Sequence, residues 1–528
     1  MSAHQELQLL GLLAGVGVMI VVVGRLRVPY PILLVLGGLA LGFMPGLPDL
    51  ALPPDLVLVA ILPPLLYSSA FFTSLRDLRA NVVPISLLAI GLVGATMVGV
   101  ALVAHAWIDD FGWPEAFVLG AVLSPTDAIA ATAIARRLEV PRRVVTVIEG
   151  ESLVNDGTAL VLYKVAVGIA VSGSFSLASA SGRLVLNAVG GVLVGLAVGY
   201  VVREVRRRTP AAPSSITIAF LTGYFAYLPA DAIGVSGVLA VVTAGVFMGW
   251  HTPQLTTVET RLQGRAFWEI LTFLVNSLLF VLVGLQLPRI LDSLAAQSAM
   301  SLIRDGALVA AAVIVIRLLW VFPLMWLPKL LVRRVRGDEM LADWRLPTLV
   351  GWSGMRGAVS LAAALAIPLR TSDGAPFPHR DLIVFLVFCA ILVTLVLQGS
   401  TLPPLIEALG LRDDSLDRKE EGKARIKAAE AALERLDELI DEDWVREDTA
   451  ERMRGLYNFR RNRFRARFDE DDDGMIEEQS TSYQRLRREL LEAERGAVIR
   501  LRNEGHINDD VMHRVERDLD LEDSRLEI

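Results

Sequence analysis

Residues 144–167 read VVTVIEGESLVNDGTALVLYKVAV. A membrane span needs about 20 largely apolar residues to cross a hydrocarbon core of about 30 Å, and this stretch is long enough. Its two ends are apolar, yet its middle holds Glu151, Ser152, Asn155 and Asp156. An ionisable group inside a span costs several kcal/mol unless it is paired or hydrated, so such groups mark ion pathways. Ser152, Asn155 and Asp156 are spaced by three and four and share one helix face. Glu151 lies five positions from Asp156, about 140° around the helix, and must find its countercharge elsewhere.

The surrounding chain fits this reading. Of 528 residues 53% are hydrophobic, and mean hydropathy is +0.50, too apolar for a soluble protein of this size. The charged residues, 21% of the total, crowd into the stretch after about Arg412, so the net charge of −7 averages two unlike regions. Nucleic acid is not an expected partner. The single cysteine, Cys389, excludes an intrachain disulfide, and six scattered histidines show no metal-ligand spacing. Met1 to Glu6 lack the positive region of a signal peptide, so the first apolar run is expected to be a retained span.

Apolar runs centre near Gly15, Leu36, Leu62, Gly91, Pro125, Gly157, Leu193, Leu221, Val241, Leu278, Val315, Val359 and Val393, about thirteen spans in all. Alternate loops are rich in arginine and lysine, as at Arg25 and Arg27, Arg76 and Arg79, Arg136 to Arg143, Arg203 to Arg208, Arg261 and Arg265, and Lys329 to Arg345. The rule that positive loops stay in the cytoplasm puts the N-terminus outside and the C-terminus inside. The expected organisation is an all-α polytopic membrane domain over residues 1–411 and a cytosolic helical tail over 412–528. In the tail, Ile426, Ala429, Leu433, Leu436 and Ile440 predict one amphipathic helix, and a second is expected from Tyr483 to Arg502. The acidic run Asp469 to Gly474 begins like a calcium loop. Ser480 stands where a bidentate glutamate is required, so the run reads as an acidic turn.

Two more charges fall deep in spans. At 1.5 Å per residue, Asp127 and Asp156 lie roughly 18 Å in from opposite sides, and Arg356 roughly 12 Å. Both remaining segments carry helix breakers: Ser124-Pro125-Thr126-Asp127, and Gly351-Trp352-Ser353-Gly354-Met355-Arg356-Gly357. Their separation by seven spans suits two inverted repeats, spans 1–6 and 8–13, with broken helices at matching positions, the best sequence pointer to a transporter's binding site. Arg356 is the expected structural partner of Glu151. Lys164 is expected to snorkel to the outer interface, and Arg317, also at mid-membrane, has no assigned partner, with Asp231 and Glu269 considered.

These motifs resemble the monovalent cation:proton antiporter family of bacterial Na⁺/H⁺ antiporters and sodium/proton exchangers. The resemblance rests on Ser124 to Asp127, Glu151 to Thr158 and Gly354 to Gly357, with lesser matches at Gly234 to Ala240 and Phe267 to Glu269, and covers roughly residues 6–408. It implies a homodimer in the cell membrane whose core carries two crossed, discontinuous helices, and a role in pH and sodium homeostasis. By motif, Asp156 would be the carboxylate that carries Na⁺ or H⁺ and Ser152 a ligand. Thr126 and Asp127 would lie at the crossing, with Asn155 hydrogen-bonding Asp127, and Glu151 and Arg356 would form the buried pair. Ala128 stands where many members have proline, and Ser68 where several carry a cation-binding glutamate.

A single site that takes either cation or proton gives antiport without a cofactor, and no Walker sequence is present. Asn155 cannot titrate, so one carboxylate is expected to cycle and exchange to be electroneutral. K⁺/H⁺ exchange on the same fold is the main alternative. A membrane sensor or scaffold signalling through its tail is the alternative outside transport, and the mid-membrane charges argue against it.

Overall fold

The computed structural model describes residue 17 and residues 29–44, 56–172, 177–295, 297–331, 344–411, 416–466 and 475–524. The chain is all-helical: among the described residues the sole β feature is an isolated bridge between Arg370 and Pro376. It divides into two compact units, Met1–Arg412 and Asp413–Ile528.

The first unit contains α1 (Tyr30–Gly42), α2 (Leu62–Phe72), α3 (Leu75–Ala80), α4 (Val82–Ser86), α5 (Val93–Trp107), α6 (Trp113–Leu123), α7 (Ala128–Arg137) and α8 (Arg142–Ser172). There follow α9 (Leu177–Arg207), α10 (Ala212–Ala232), α11 (Gly237–Leu255), α12 (Val258–Leu285), α13 (Leu287–Ser293), α14 (Ala299–Leu331), α15 (Arg345–Trp352), α16 (Ala358–Leu365), α17 (Arg380–Val393) and α18 (Gly399–Leu409). Among the described residues, the π-helical segments Leu56–Ile61, Leu87–Leu92 and Thr394–Gln398 lead directly into α2, α5 and α18.

Among the described residues, seven stretches are long and apolar enough to cross a membrane: Val82–Trp107, Trp113–Arg137, Arg142–Ser172, Val185–Arg207, Val258–Ser293, Ala299–Pro323 and Arg380–Leu409. They fall at the fourth to seventh, tenth, eleventh and thirteenth expected spans. The second and third are represented by shorter apolar helices, Tyr30–Gly42 and Val57–Phe72. Helices α10 and α11 occupy the eighth and ninth, with Pro229 and Pro253 inside them. The twelfth is split into the two eight-residue helices α15 and α16, and the first lies outside the described residues apart from Gly17.

In the fifth expected span, Pro125 cannot donate a backbone hydrogen bond, and the helix stops at Leu123 and restarts at Ala128. Its restart is capped by Asp127, whose carboxylate accepts from the backbone N–H of Ile129 at 2.8 Å. In the twelfth, Gly354 and Gly357 lie among the non-helical residues 353–357 between α15 and α16. The Asp127 N–H donates to the Met355 carbonyl at 2.8 Å, so the two breaks touch.

In the second unit, α19 (Leu416–Leu439) packs on α20 (Glu447–Ala466), burying Ala429, Ala450 and Phe464, with Arg465 paired to Glu430 at 2.6 Å. Helix α19 ends one residue before Ile440, the last position of the expected stripe. Helix α21 (Met475–Asn503) encloses the expected Tyr483 to Arg502 helix and pairs with α22 (Asp509–Ser524) through Arg495 and Asp520 at 2.8 Å. The acidic turn at 469–474 lies outside the described residues.

Helices α1 and α12 meet backbone to backbone. A Cβ on Gly38 would overlap the Val281 carbonyl oxygen, and one on Gly284 would overlap that of Val35. Gly38→Ala is therefore expected to cost about 1–3 kcal/mol, as overpacking does. Gly94→Ala, where nothing lies within 4 Å of the added carbon, should leave stability unchanged or slightly raised. Melting curves of the two purified variants in detergent check the contrast.

Candidate functional site

Thr126, between the two halves of the broken fifth span, ties them to the middle of α8. Its hydroxyl donates to Glu151 Oε1 at 3.1 Å and accepts from Asn155 Nδ2 at 2.7 Å, while its carbonyl accepts from Ser152 Oγ at 3.0 Å. Three residues of α8 thus converge on one threonine. The expected bond from Asn155 to Asp127 is replaced by this one. Asp127 is turned toward the start of α7, which it caps, and the amide of Asn155 meets the neighbouring hydroxyl instead.

The expected Glu151–Arg356 pair is also corrected. Glu151, 1% exposed, is held by both terminal nitrogens of Arg317, with Nη2 to Oε2 at 2.8 Å. Arg317 rises from α14 and also donates to the Val350 carbonyl, from Nε at 3.2 Å and Nη2 at 2.9 Å, in the last turn of α15. Arg356 is fully buried and donates to carbonyls from two of its nitrogens, Nε to Leu123 O at 2.9 Å, the end of α6, and Nη1 to Gly354 O, while its Nη2 is buried with no partner among the described residues. The breaks explain the exchange of partners. An interrupted helix leaves carbonyls unpaired at its C-terminal end, where the helix dipole is negative and a cation is favoured. Each arginine takes one such end, and Arg317 is the one that also reaches the carboxylate.

A cavity of about 860 Å³ opens on one side of the crossing. Thr126, Asp127, Ser152 and Asp156 line it; Asn155, Glu151, Arg317 and Arg356 do not. The sequence-predicted site therefore separates into a layer facing the cavity and a layer behind that holds the first in place. Among the described residues the Asp156 carboxylate has no hydrogen-bond partner, and the side chain is 7% exposed. Gly357 stands against Asp127: a Cβ there would collide with its carboxylate. The far end of the cavity is lined by Arg136 and Glu149, an ion pair, and by Arg265 and Glu269.

Residues 11–408 match the family model described as sodium/hydrogen exchanger, transmembrane. The chain belongs to this family. The exchanger is 38% identical over 529 residues to an uncharacterized Na⁺/H⁺ exchanger of Mycobacterium tuberculosis, covering 98% of this chain and 95% of the other. It is 37% identical over 391 residues to a sodium, potassium, lithium and rubidium/H⁺ antiporter of Bacillus pumilus, covering 72% and 58%. Its fold resembles the sodium proton antiporter MjNhaP1 of Methanocaldococcus jannaschii, with a TM-score of 0.61 at 20% identity over 78% of this chain and 98% of that one. The exchanger is thus an integral membrane protein of the cation/proton antiport class, a transporter family and not an enzyme family.

Sequence reasoning did not assign Arg317, although an arginine in the apolar run of α14 was itself the signal. It did not single out Asn276, a carboxamide deep in α12. Of the two partners considered for Arg317, Asp231 sits instead with Lys164 at 3.0 Å, both of them exposed, and Glu269 is not the carboxylate that Arg317 meets.

Breaking a buried pair leaves an uncompensated charge and costs about 3–5 kcal/mol. Glu151→Ala and Arg317→Ala should each lower stability by that order, and the double variant should lose clearly less than the sum. The same cycle for Glu151 with Arg356 should show a smaller coupling. A larger coupling there, measured by unfolding of the purified variants, would return the pairing to Arg356.

Proposed function

We propose that the protein exchanges Na⁺ for H⁺, one for one, at the carboxylate of Asp156. One observation carries the reading: Asp156 faces the cavity without a protein partner, while the other charged groups at the crossing are engaged. Glu151 is held by Arg317, Arg356 by carbonyls, and Asp127 by the start of α7. Three carboxylates and two guanidiniums give a formal charge of −1 when all are ionised. One Na⁺ or one H⁺ on Asp156 brings the cluster to zero.

Both loaded forms are then alike in charge, and reorientation carries nothing net in either direction. Na⁺ and H⁺ exclude each other because they compete for the same oxygen atoms. Thr126 and Ser152 supply neutral oxygens beside the carboxylate, and Asn155 acts from behind by fixing Thr126. Arg136 and Arg265, which belong to the arginine-rich set and stand in the last turn of α7 and the first half of α12, also line the cavity, so the proposed state is open to the cytoplasm. With it goes the orientation of N-terminus outside and tail inside, residues 412–528 forming the cytosolic part. The inverted repeats and a homodimer in the cell membrane belong to the same proposal.

K⁺/H⁺ exchange is the second reading. It is favoured by Ser68, a neutral group lining the cavity, and by the printed substrate range of the Bacillus relative, which includes potassium. Proteoliposomes with an imposed pH gradient, given Na⁺, Li⁺ and K⁺ in turn, decide between them.

Asp156→Asn should abolish exchange of every cation with the protein still folded. Substantial residual transport by that variant would sink the assignment. For stoichiometry, a potential of 100 mV contributes about 2.3 kcal/mol per net charge moved. A K⁺–valinomycin potential should leave the initial Na⁺/H⁺ rate and the final pH gradient unchanged. A shifted end point would mean that a second carboxylate also cycles.

A further inference from the structure

One face of α12 lines the cavity from end to end, through Arg265, Glu269, Thr272, Asn276 and Phe280 at helical spacing. Glu269 marks the charged end, and Asn276 lies about 10 Å further along the helix at 1.5 Å per residue. Beyond it the cavity face of α12 turns apolar, with Leu279 and Phe280. The Asn276 side chain is 6% exposed, and its carboxamide oxygen is buried with no hydrogen-bond partner. The Thr272 hydroxyl, one turn earlier, is already satisfied by the Trp268 carbonyl at 2.7 Å.

A buried amide oxygen without a protein partner is costly unless something in the cavity it lines, water or a cation, reaches it. The acids that line the same cavity, Asp127 and Asp156, are acceptors when ionised and offer it nothing. A cation in the cavity does: the oxygen end of the carboxamide dipole is the end that attracts it. The residues proposed above to hold Na⁺ all belong to the break at Pro125 and to α8, so α12 supplies none of their oxygens. A dehydrating cation needs further oxygens too.

Resting on the Asp156 reading, we infer that Asn276 Oδ1 is a ligand of the transported monovalent cation, supplied by α12. As a neutral group it adds affinity without adding a proton to the cycle. It is also absent from the proton-loaded form, where no cation is bound, so it discriminates between the two cargoes.

The neighbouring Ser277 provides a control. It is 1% exposed and its hydroxyl is equally unpartnered, but it does not line the cavity. In full-length protein reconstituted in liposomes, Asn276→Leu should raise the KM for Na⁺ about tenfold, the scale of one lost polar contact to a charge. The rate at saturating Na⁺ should be largely kept. Asn276→Gln, which retains the oxygen, should recover part of the affinity, and Ser277→Ala should leave KM unchanged. In detergent, the rise in melting temperature produced by Na⁺ should be reduced in Asn276→Leu and retained in Ser277→Ala.

An Asn276→Leu variant that folds with unchanged KM and unchanged Na⁺-dependent melting overturns the inference. So does an equal effect of Ser277→Ala, which would mean that α12 packing is being disturbed. A displaced pH profile with unaltered Na⁺ affinity would make the protonated carboxyl, and not the cation, the partner of Asn276. The Asp156 reading is tested apart from these: it stands while Asp156→Asn is inactive, whatever Asn276 does.

Discussion

A helix interrupted inside a membrane exposes backbone groups that no water can satisfy, and this constraint organises the centre of the protein. The interrupted segments end at Leu123 and in the last turn of α15, and restart at Ala128 and Ala358. At the C-terminal ends the free carbonyls meet guanidinium groups, Arg356 on Leu123 and Arg317 on Val350. At the start of α7 the free amide meets the carboxylate of Asp127. Each charge is placed where the local dipole favours it. The breaks thus require buried ions, and the ions in turn make the breaks tolerable.

The same economy explains why Asp156 stands apart. Every other ion at the crossing has a backbone terminus or an opposite charge to hold it, whereas Asp156 lies within the unbroken α8 and has neither. On the reading proposed above, this carboxylate, which lines the cavity and has no structural partner, is the one that takes a mobile ion. Thr126 links the two functions. It bonds Glu151 in the structural layer and presents its own oxygens beside Asp156, so a disturbance of the Glu151–Arg317 pair would be felt in the layer that faces the cavity.

Much of this was legible in the sequence because burial of charge in a long apolar run is a local signal. Asp127, Glu151, Asp156 and Arg356 could be placed at depth by counting residues, and Pro125 and the glycines around Arg356 marked the breaks. Partner choice was less legible. Glu151 needed a cation and two arginines lay at suitable depth, yet which one reached it depended on where the free carbonyls of the broken helices pointed. The choice between Asp127 and Thr126 as partner of Asn155 was hidden for the same reason, since adjacent residues in a non-helical turn point in directions that helical phase does not describe. The long helices were found where apolarity was continuous. The glycines of the twelfth span interrupted it, whereas α10 and α11 run through Pro229 and Pro253 unbroken.

The paired glycines of α1 and α12 have a consequence for tolerance to change. Where Gly38 faces Val281 and Gly284 faces Val35, spacing is set by main-chain atoms with no side chain between them. Main-chain radii do not vary with sequence and have no rotamers, so this joint can neither be retuned by neighbouring substitutions nor take up slack by side-chain motion. It behaves as a fixed gauge. Asn276 is carried on the same helix two turns from Gly284, and its position therefore inherits a dimension that drift elsewhere in the membrane unit leaves untouched.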